Sequence, residues 1–276
     1  MLLYLVRHGQ SVWNAEGRHQ GWQDVPLSPL GQQQAERIAQ RLKGQKFDYM
    51  FTSPIKRCYD TAAAIVRAQE RPLDDLVVRE GLREARLSAE LEGLAEKEIL
   101  KRWTKEQKQL FREDYSFKFP DGESVKEVMA RTVEEFKAIA ALSEEAPPDP
   151  EEEQESEAPA DTTHPDGEAQ PAPESGQVAT GRDGEREKPK VPQKTALIVS
   201  HRINVQLFTL YALDALDSIA RRQNNIDRLE ISNCALSVIE TNLKGKQPHF
   251  RVLTVNDITH LARLTPPKPS AEEPSK

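Results

Sequence analysis

Cysteine is almost absent from this 276-residue sequence: Cys58 and Cys234 stand far apart, with no CxxC and no metal-ligand spacing around them. A disulfide-stapled secreted scaffold is thereby disfavoured, and a cytoplasmic, reducing setting is expected. Long apolar runs are missing too. Nothing approaches the ~20 consecutive apolar residues of a membrane-spanning helix, so no membrane partner is expected. The brief run Leu2–Val6 lacks both the basic lead-in and the small-residue cleavage site of a secretory signal. No dense Lys/Arg cluster is interleaved with aromatics, which argues against nucleic acid as a partner. Internal repeats are likewise lacking.

Apolar residues make up only 37% of the chain against 30% charged, but the shortage is local. Residues 144–193 run through Glu, Pro, Asp, Thr and Gly with hardly an apolar side chain, too few to offset the entropy of ordering them. They hold 15 of the 45 acidic and 4 of the 38 basic residues, a net of −11. The rest therefore carries 34 basic and 30 acidic residues, a net of +4 that suits a small anionic substrate. The expected organisation is one catalytic domain made of residues 1–143 and 194–264, a disordered acidic, Pro-rich insertion at 144–193, and a frayed tail at 265–276.

What is present alternates strand and helix. Leu2–Val6 reads as a strand buried on both faces and ends at Arg7-His8-Gly9. Ser28-Pro29 supplies a cap and a proline for a helix running to about Gly44. Asp48–Thr52 predicts a second strand, and Ser53-Pro54 repeats the cap device for a helix to about Ala68. Leu76–Val78 follows as a short strand, then helices over about 94–109 and 124–142, separated by a turn at Phe119-Pro120-Asp121-Gly122. Thr195–Ser200 is the clearest buried strand and ends at His201. A helix over about 204–212, a short one near 218–222 and strands at 235–240 and 250–255 complete the pattern. This order predicts an α/β fold, a three-layer αβα sandwich with a mainly parallel central sheet.

Ligands in open α/β sheets bind beyond the carboxyl ends of the strands. Arg7 and His8, Arg57, Glu84 and His201 all fall there. The arginines offer permanently charged forks for phosphate oxygens. The histidines can act as nucleophile, proton donor or charge partner, and the carboxyl can protonate a leaving alkoxide. Taken singly, each has a plainer reading: a structural histidine, a surface arginine, an ion pair within Leu82-Arg83-Glu84-Ala85-Arg86.

Six segments in order settle the choice: Leu-Val-Arg-His-Gly-Gln-Ser-Val-Trp-Asn (5–14), Gln-Gly-Trp-Gln-Asp-Val-Pro-Leu-Ser-Pro-Leu-Gly (20–31), Thr-Ser-Pro-Ile-Lys-Arg-Cys-Tyr-Asp-Thr-Ala (52–62), Leu-Arg-Glu with a later Glu-Gly-Leu (82–94), Phe-Pro-Asp-Gly-Glu-Ser (119–124) and Val-Ser-His (199–201). Together they resemble the histidine phosphatase superfamily, the phosphoglycerate mutase-like proteins. The resemblance implies that His8 attacks phosphorus, that Arg7, Arg57 and His201 cradle the phosphoryl oxygens, and that Glu84 protonates the leaving oxygen and then activates water. It further implies a nest of backbone amides from Gly9, Gln10 and Ser11 with the Asn14 side chain, a substrate-side loop at Gln20 and Gly21, and no cofactor or metal. Trp13 and Trp22 read as packing aromatics. Arg202 stands where the family often has glycine; it either adds a cation beside the substrate or points away.

The phosphohistidine is common to phosphatases and mutases. Mutases that use a bisphosphoglycerate cofactor resemble one another in an Arg-His-Tyr-Gly segment and paired arginines after the acid, and residues 94–118 carry neither. Hydrolysis of a small phosphorylated substrate is therefore the leading expectation, with phosphoglycerate mutase second. A non-catalytic scaffold that binds a basic partner through its acidic segment is a third reading. Lys97, Lys101, Arg102, Lys105, Lys108 and Arg112 form either a basic rim over the site or a solvated, ion-paired face. The oligomeric state stays open.

Overall fold

The computed structural model describes residues 1–143, 193–216, 229–242, 249–262 and 264. The expected disordered insertion, the short helix near 218–222 and the tail from 265 lie outside the described residues. Six strands form one sheet: β1 (Leu2–Arg7), β2 (Tyr49–Thr52), β3 (Leu76–Val78), β4 (Thr195–Ser200), β5 (Leu236–Asn242) and β6 (His249–Asp257), in the order β3-β2-β4-β1-β5-β6. The first four are parallel; β5 and β6 are antiparallel. Among the described residues no helix is long and apolar enough to cross a membrane.

Alternating side chains of β1 and β4 feed two separate cores, as the two-residue period of a strand dictates. Val6, Leu197 and Val199 meet Ile38, Leu42, Ala62 and Ile65 from α2 (Pro29–Leu42) and α3 (Lys56–Ala68), which cover one face. Leu3, Leu5, Ala196 and Ile198 meet Phe136, Ile139, Val205 and Phe208 from α6 (Val125–Ala141) and α7 (Arg202–Ala212) on the other. Both faces of the parallel strands are thus covered, which yields the three layers and explains their near-continuous apolar sequences.

Three local expectations differ. A short helix, α1 (Val12–Glu16), follows β1; its capping box joins Ser11 to Asn14, and five residues are too few to show a helical period. Ser53 does not cap α3, whose N-cap is Ile55; the Ser53 hydroxyl lies 2.9 Å from His201 Nε2 instead. The helix expected over 94–109 is two, α4 (Glu96–Arg102) and α5 (Lys105–Glu113). Trp103 breaks it by turning into a cluster with Leu91, Ile99, Phe111 and Phe119, and Thr104 caps the second piece with Gln107. Lys97, Lys101, Arg102, Lys105 and Arg112 are exposed.

The loop after β1 lies against the first turn of α2 with backbone touching backbone. A Cβ on Gly31 would sit 1.9 Å from the Gln10 carbonyl oxygen, and one on Gly9 2.5 Å from that of Gly31. Gly31→Ala is therefore expected to push α2 off the loop and cost about 2 kcal/mol, as overpacking typically does. Urea unfolding would read it as a lower midpoint at constant slope; an unchanged midpoint would show that the loop yields freely.

Candidate active site

The carboxyl ends of β1, β4 and β2 deliver His8, His201 and Ser53 to one place, and the first turn of α3 adds Arg57. All four are buried. The His8 Nδ1 lies 2.7 Å from the Gly9 carbonyl oxygen, which can only accept, so Nδ1 carries the proton and Nε2 the lone pair. Arg57 Nε–H points at that lone pair from 3.3 Å. Burial first, then the Arg57 and Arg7 charges, hold His8 well below the usual imidazole range, so it is neutral at pH 7.

Arg57 spends the rest of its fork within the protein. Nη1 donates to the Gln23 carbonyl at 3.0 Å, and Nη2 donates to the Gly21 carbonyl at 3.0 Å and to His201 Nδ1 at 3.2 Å. Gly21 is needed where it stands: its φ is +52°, and a Cβ would meet the Glu92 carboxylate at 2.2 Å. His201 accepts from Arg57 through Nδ1, so its Nε2–H faces Ser53. Burial, then Arg57 and His8, lower its pKa. The Glu84 carboxylate oxygen 3.8 Å from that Nδ1 is consequently a neighbour rather than an ion-pair partner.

Arg7 donates through Nη1 to the Ile231 carbonyl at 2.7 Å, while its buried Nε has no acceptor among the described residues. Burial, followed by the charge of Arg202, pushes its pKa down to about 10. It stays a cation at neutral pH. Arg202 itself begins α7 with an exposed side chain, and its field reaches Arg7 and His19.

The backbone amides after His8 have side-chain partners in the resting site. The Gly9 N–H donates to Thr61 Oγ1, that of Gln10 to Gln34 Oε1 and that of Ser11 to Asn14 Oδ1. The Gln10 side chain accepts from Ser28 at the start of α2. Gln20 is buried and accepts from Ser11 Oγ at 2.6 Å, tying the Gln20-Gly21 loop to the loop after β1.

Sequence reasoning missed several members. Asn233 donates to the His8 carbonyl at 3.0 Å, from a turn with no pattern to mark it. Cys58 packs its buried thiol 3.4 Å from His201 Nε2, and burial pushes that thiol's pKa up. His19 lies within the fields of Glu84, Glu92 and Arg57, with its Nε2 buried and unpartnered among the described residues. Trp22 packs with polar partners: the Arg83 and Arg86 guanidinium carbons lie 4.9 and 5.0 Å from its ring centroid, and its Nε1 donates to the Glu84 carbonyl at 2.8 Å. The arrangement combines a neutral imidazole whose lone pair meets a guanidinium N–H, one buried and one half-buried arginine, a second neutral imidazole and a carboxyl, a set suited to transfer of an anionic group.

The family model of the histidine phosphatase superfamily (branch 1) matches residues 3–147, which include Arg7, His8, Arg57 and Glu84. A phosphoglycerate mutase of Schizosaccharomyces pombe is 37% identical over 139 residues, 50% of this chain and 65% of that protein. A 2,3-bisphosphoglycerate-dependent phosphoglycerate mutase of Methylobacterium is 38% identical over 134 residues, 48% and 64% of the two chains. The match thus spans less than two thirds of these relatives. Among solved structures, a mycobacterial glucosyl-3-phosphoglycerate phosphatase superposes with a TM-score of 0.64 at 20% identity, covering 92% of this chain and 98% of its own. A phosphoserine phosphatase of Entamoeba histolytica bound to 3-phosphoglyceric acid gives 0.59 at 20%, covering 94% and 98%. These likenesses bear out the α/β sandwich. The chain belongs to the histidine phosphatase superfamily, branch 1.

Proposed function

We propose that the chain is a phosphomonoester phosphatase that works through a phosphohistidine on a small anionic phosphorylated metabolite. The observation that carries this reading is the state of His8: its Nδ1 proton is committed to the Gly9 carbonyl, burial keeps the ring neutral, and its Nε2 lone pair meets the Arg57 Nε–H at 3.3 Å, a donor that can pass to an arriving phosphoryl oxygen. Such an imidazole is a competent nucleophile. His8 Nε2 bonds to phosphorus as the ester P–O bond breaks, and Glu84 gives its proton to the leaving oxygen. Water then attacks phosphorus, the P–N bond breaks, and the water's proton passes to the Glu84 carboxylate. Arg7, Arg57 and His201 surround the phosphoryl oxygens as the P–N bond forms; the buried Nε of Arg7, without an acceptor among the described residues, supplies one donor.

Phosphoglycerate mutase is the second reading, favoured by the names of the curated relatives. There the phosphohistidine passes its group to a second hydroxyl instead of water. Against it stands the segment after Glu84, which continues Ala85-Arg86-Leu87 into two short helices without the Arg-His-Tyr-Gly sequence. The purified protein given 3-phosphoglycerate, with and without 2,3-bisphosphoglycerate, is expected to release inorganic phosphate as the main product. Rapid formation of 2-phosphoglycerate that depends on the bisphosphate would reverse the order.

A further inference from the structure

The segment Phe119-Pro120-Asp121-Gly122-Glu123-Ser124 has no part in the chemistry above, yet it grips the loop that carries Glu84. Asp121 accepts from Ser88 Oγ and from the Ala89 N–H, both at 2.8 Å. Gly122 passes so close that a Cβ would lie 1.8 Å from the Leu87 carbonyl oxygen. Glu123 exchanges two bonds with the backbone of Arg86, its N–H donating at 2.7 Å and its carboxylate accepting at 3.2 Å. The same carboxylate takes both sides of the Arg131 fork, at 2.6 Å from Nε and 2.9 Å from Nη2. Ser124 then caps α6, the helix that presents Arg131.

Arg131 turns its remaining donors onto three carbonyls of the acid loop: Gly81 at 3.0 Å, Arg83 at 2.9 Å and Glu84 at 3.0 Å. The last of these matters most. The Glu84 carbonyl and the Ala85 N–H belong to one rigid peptide plane, and that N–H donates to Glu84 Oε1 at 2.9 Å. Fixing the carbonyl therefore fixes the N–H, and through it the rotation of the carboxyl that faces His201. Asn204 and Ser200 hold the Leu82 carbonyl, and Trp22 shares the Glu84 carbonyl, but Arg131 is the group that reaches three of these carbonyls at once.

We propose that Arg131, braced by Glu123, is a positioning residue that sets the Glu84 carboxyl for proton transfer to the leaving oxygen. The inference rests on Glu84 being the acid in the phosphatase reading. A bidentate guanidinium pair suits the task because it fixes direction as well as distance.

Two nearly isosteric substrates separate positioning from folding. Phenyl phosphate needs its leaving oxygen protonated, whereas p-nitrophenyl phosphate expels a stabilised phenolate that does not. The quantity compared is kcat/KM, which covers steps only up to formation of the phosphohistidine. Glu84→Gln is expected to lower it about 100-fold more on phenyl phosphate than on p-nitrophenyl phosphate, the lower range for loss of a general acid. Arg131→Met and Glu123→Gln should show the same bias at about 10-fold. Arg131→Lys, which keeps the charge but not the fork, should recover only part of it. A misfolded fraction depresses both substrates equally and leaves the ratio unchanged. A wild-type ratio in all three of these variants, with Glu84→Gln still biased, would overturn the role of Arg131 while leaving the acid in place. A Glu84→Gln variant without bias would overturn the acid assignment, and this inference with it.

Discussion

His8→Ala is expected to lower phosphate release from p-nitrophenyl phosphate by on the order of 100,000-fold, the scale on which removal of a covalent nucleophile is felt. The wild-type protein should meanwhile turn over equally well with and without EDTA. The size of the effect follows from what no neighbour can replace. His201 is also neutral and buried, but its Nδ1 is occupied by Arg57 and its Nε2 by Ser53, so neither nitrogen offers a free lone pair. Cys58 lies close by, yet burial raises its thiol pKa and leaves it protonated. His8 carries its proton on Nδ1 and its lone pair on Nε2, where the Arg57 Nε–H at 3.3 Å must give way as the P–N bond forms. Brief exposure to radiolabelled substrate followed by base quenching should trap acid-labile phosphate on the wild type and none on His8→Ala. Circular dichroism of the variant checks that the ring's removal from beside Arg57 has not unfolded it. Residual activity within about 100-fold of wild type would sink the mechanism, because the oxyanion-type contacts that remain are worth less than the nucleophile. No turnover by the wild type on any phosphomonoester would instead return the non-catalytic scaffold to the front.

The line from sequence to site was clear where chemistry and periodicity coincide and faint where a contact is made by backbone. Leu2–Val6 and Thr195–Ser200 announce themselves because a strand buried on both faces must be apolar at every position, and each delivers a histidine from its carboxyl end. Arg57 was legible only through the motif around it; nothing in one arginine at a helix start tells that it is wholly buried and joins two histidines. The side-chain partners of the amides at Gly9, Gln10 and Ser11 were hidden for a physical reason. Thr61, Gln34 and Asn14 are polar residues whose reach depends on how α1, α2 and α3 close around the loop, and a linear reading does not register that closure. Asn233 and Arg131 went unseen likewise, since each acts on a main-chain carbonyl far away in sequence. Trp103 shows the opposite error: the helical pattern over 94–109 was real, but one large aromatic gained more by turning inward than by continuing the helix.

Arg57→Lys is the second change expected to be severe, about 1,000-fold in kcat/KM, comparable with loss of a transition-state donor at the upper end of that range. The substitution keeps the positive charge, so it asks whether the field of Arg57 or its shape does the work. In the resting site Nε–H faces the His8 lone pair, while Nη1 and Nη2 are anchored on the Gln23 and Gly21 carbonyls and on His201. When His8 bonds to phosphorus that lone pair is consumed, and Nε–H must find another acceptor at the moment the phosphoryl oxygens arrive beside it. The anchored fork thus holds a donor ready at the place where charge develops, without rotating a side chain to do so. A lysine ammonium on a flexible stem has three donors but no fixed plane. It cannot satisfy both carbonyls and both imidazoles, and a carbonyl left unpaired in this buried setting costs stability as well, about 1 to 3 kcal/mol. The variant should therefore melt earlier, bind inorganic phosphate more weakly and turn over slowly even at saturating substrate. Weak binding with kcat intact would mean that Arg57 serves as a simple anion receptor. A fall in kcat together with weakened binding would show that its geometry is used in the bond-making step.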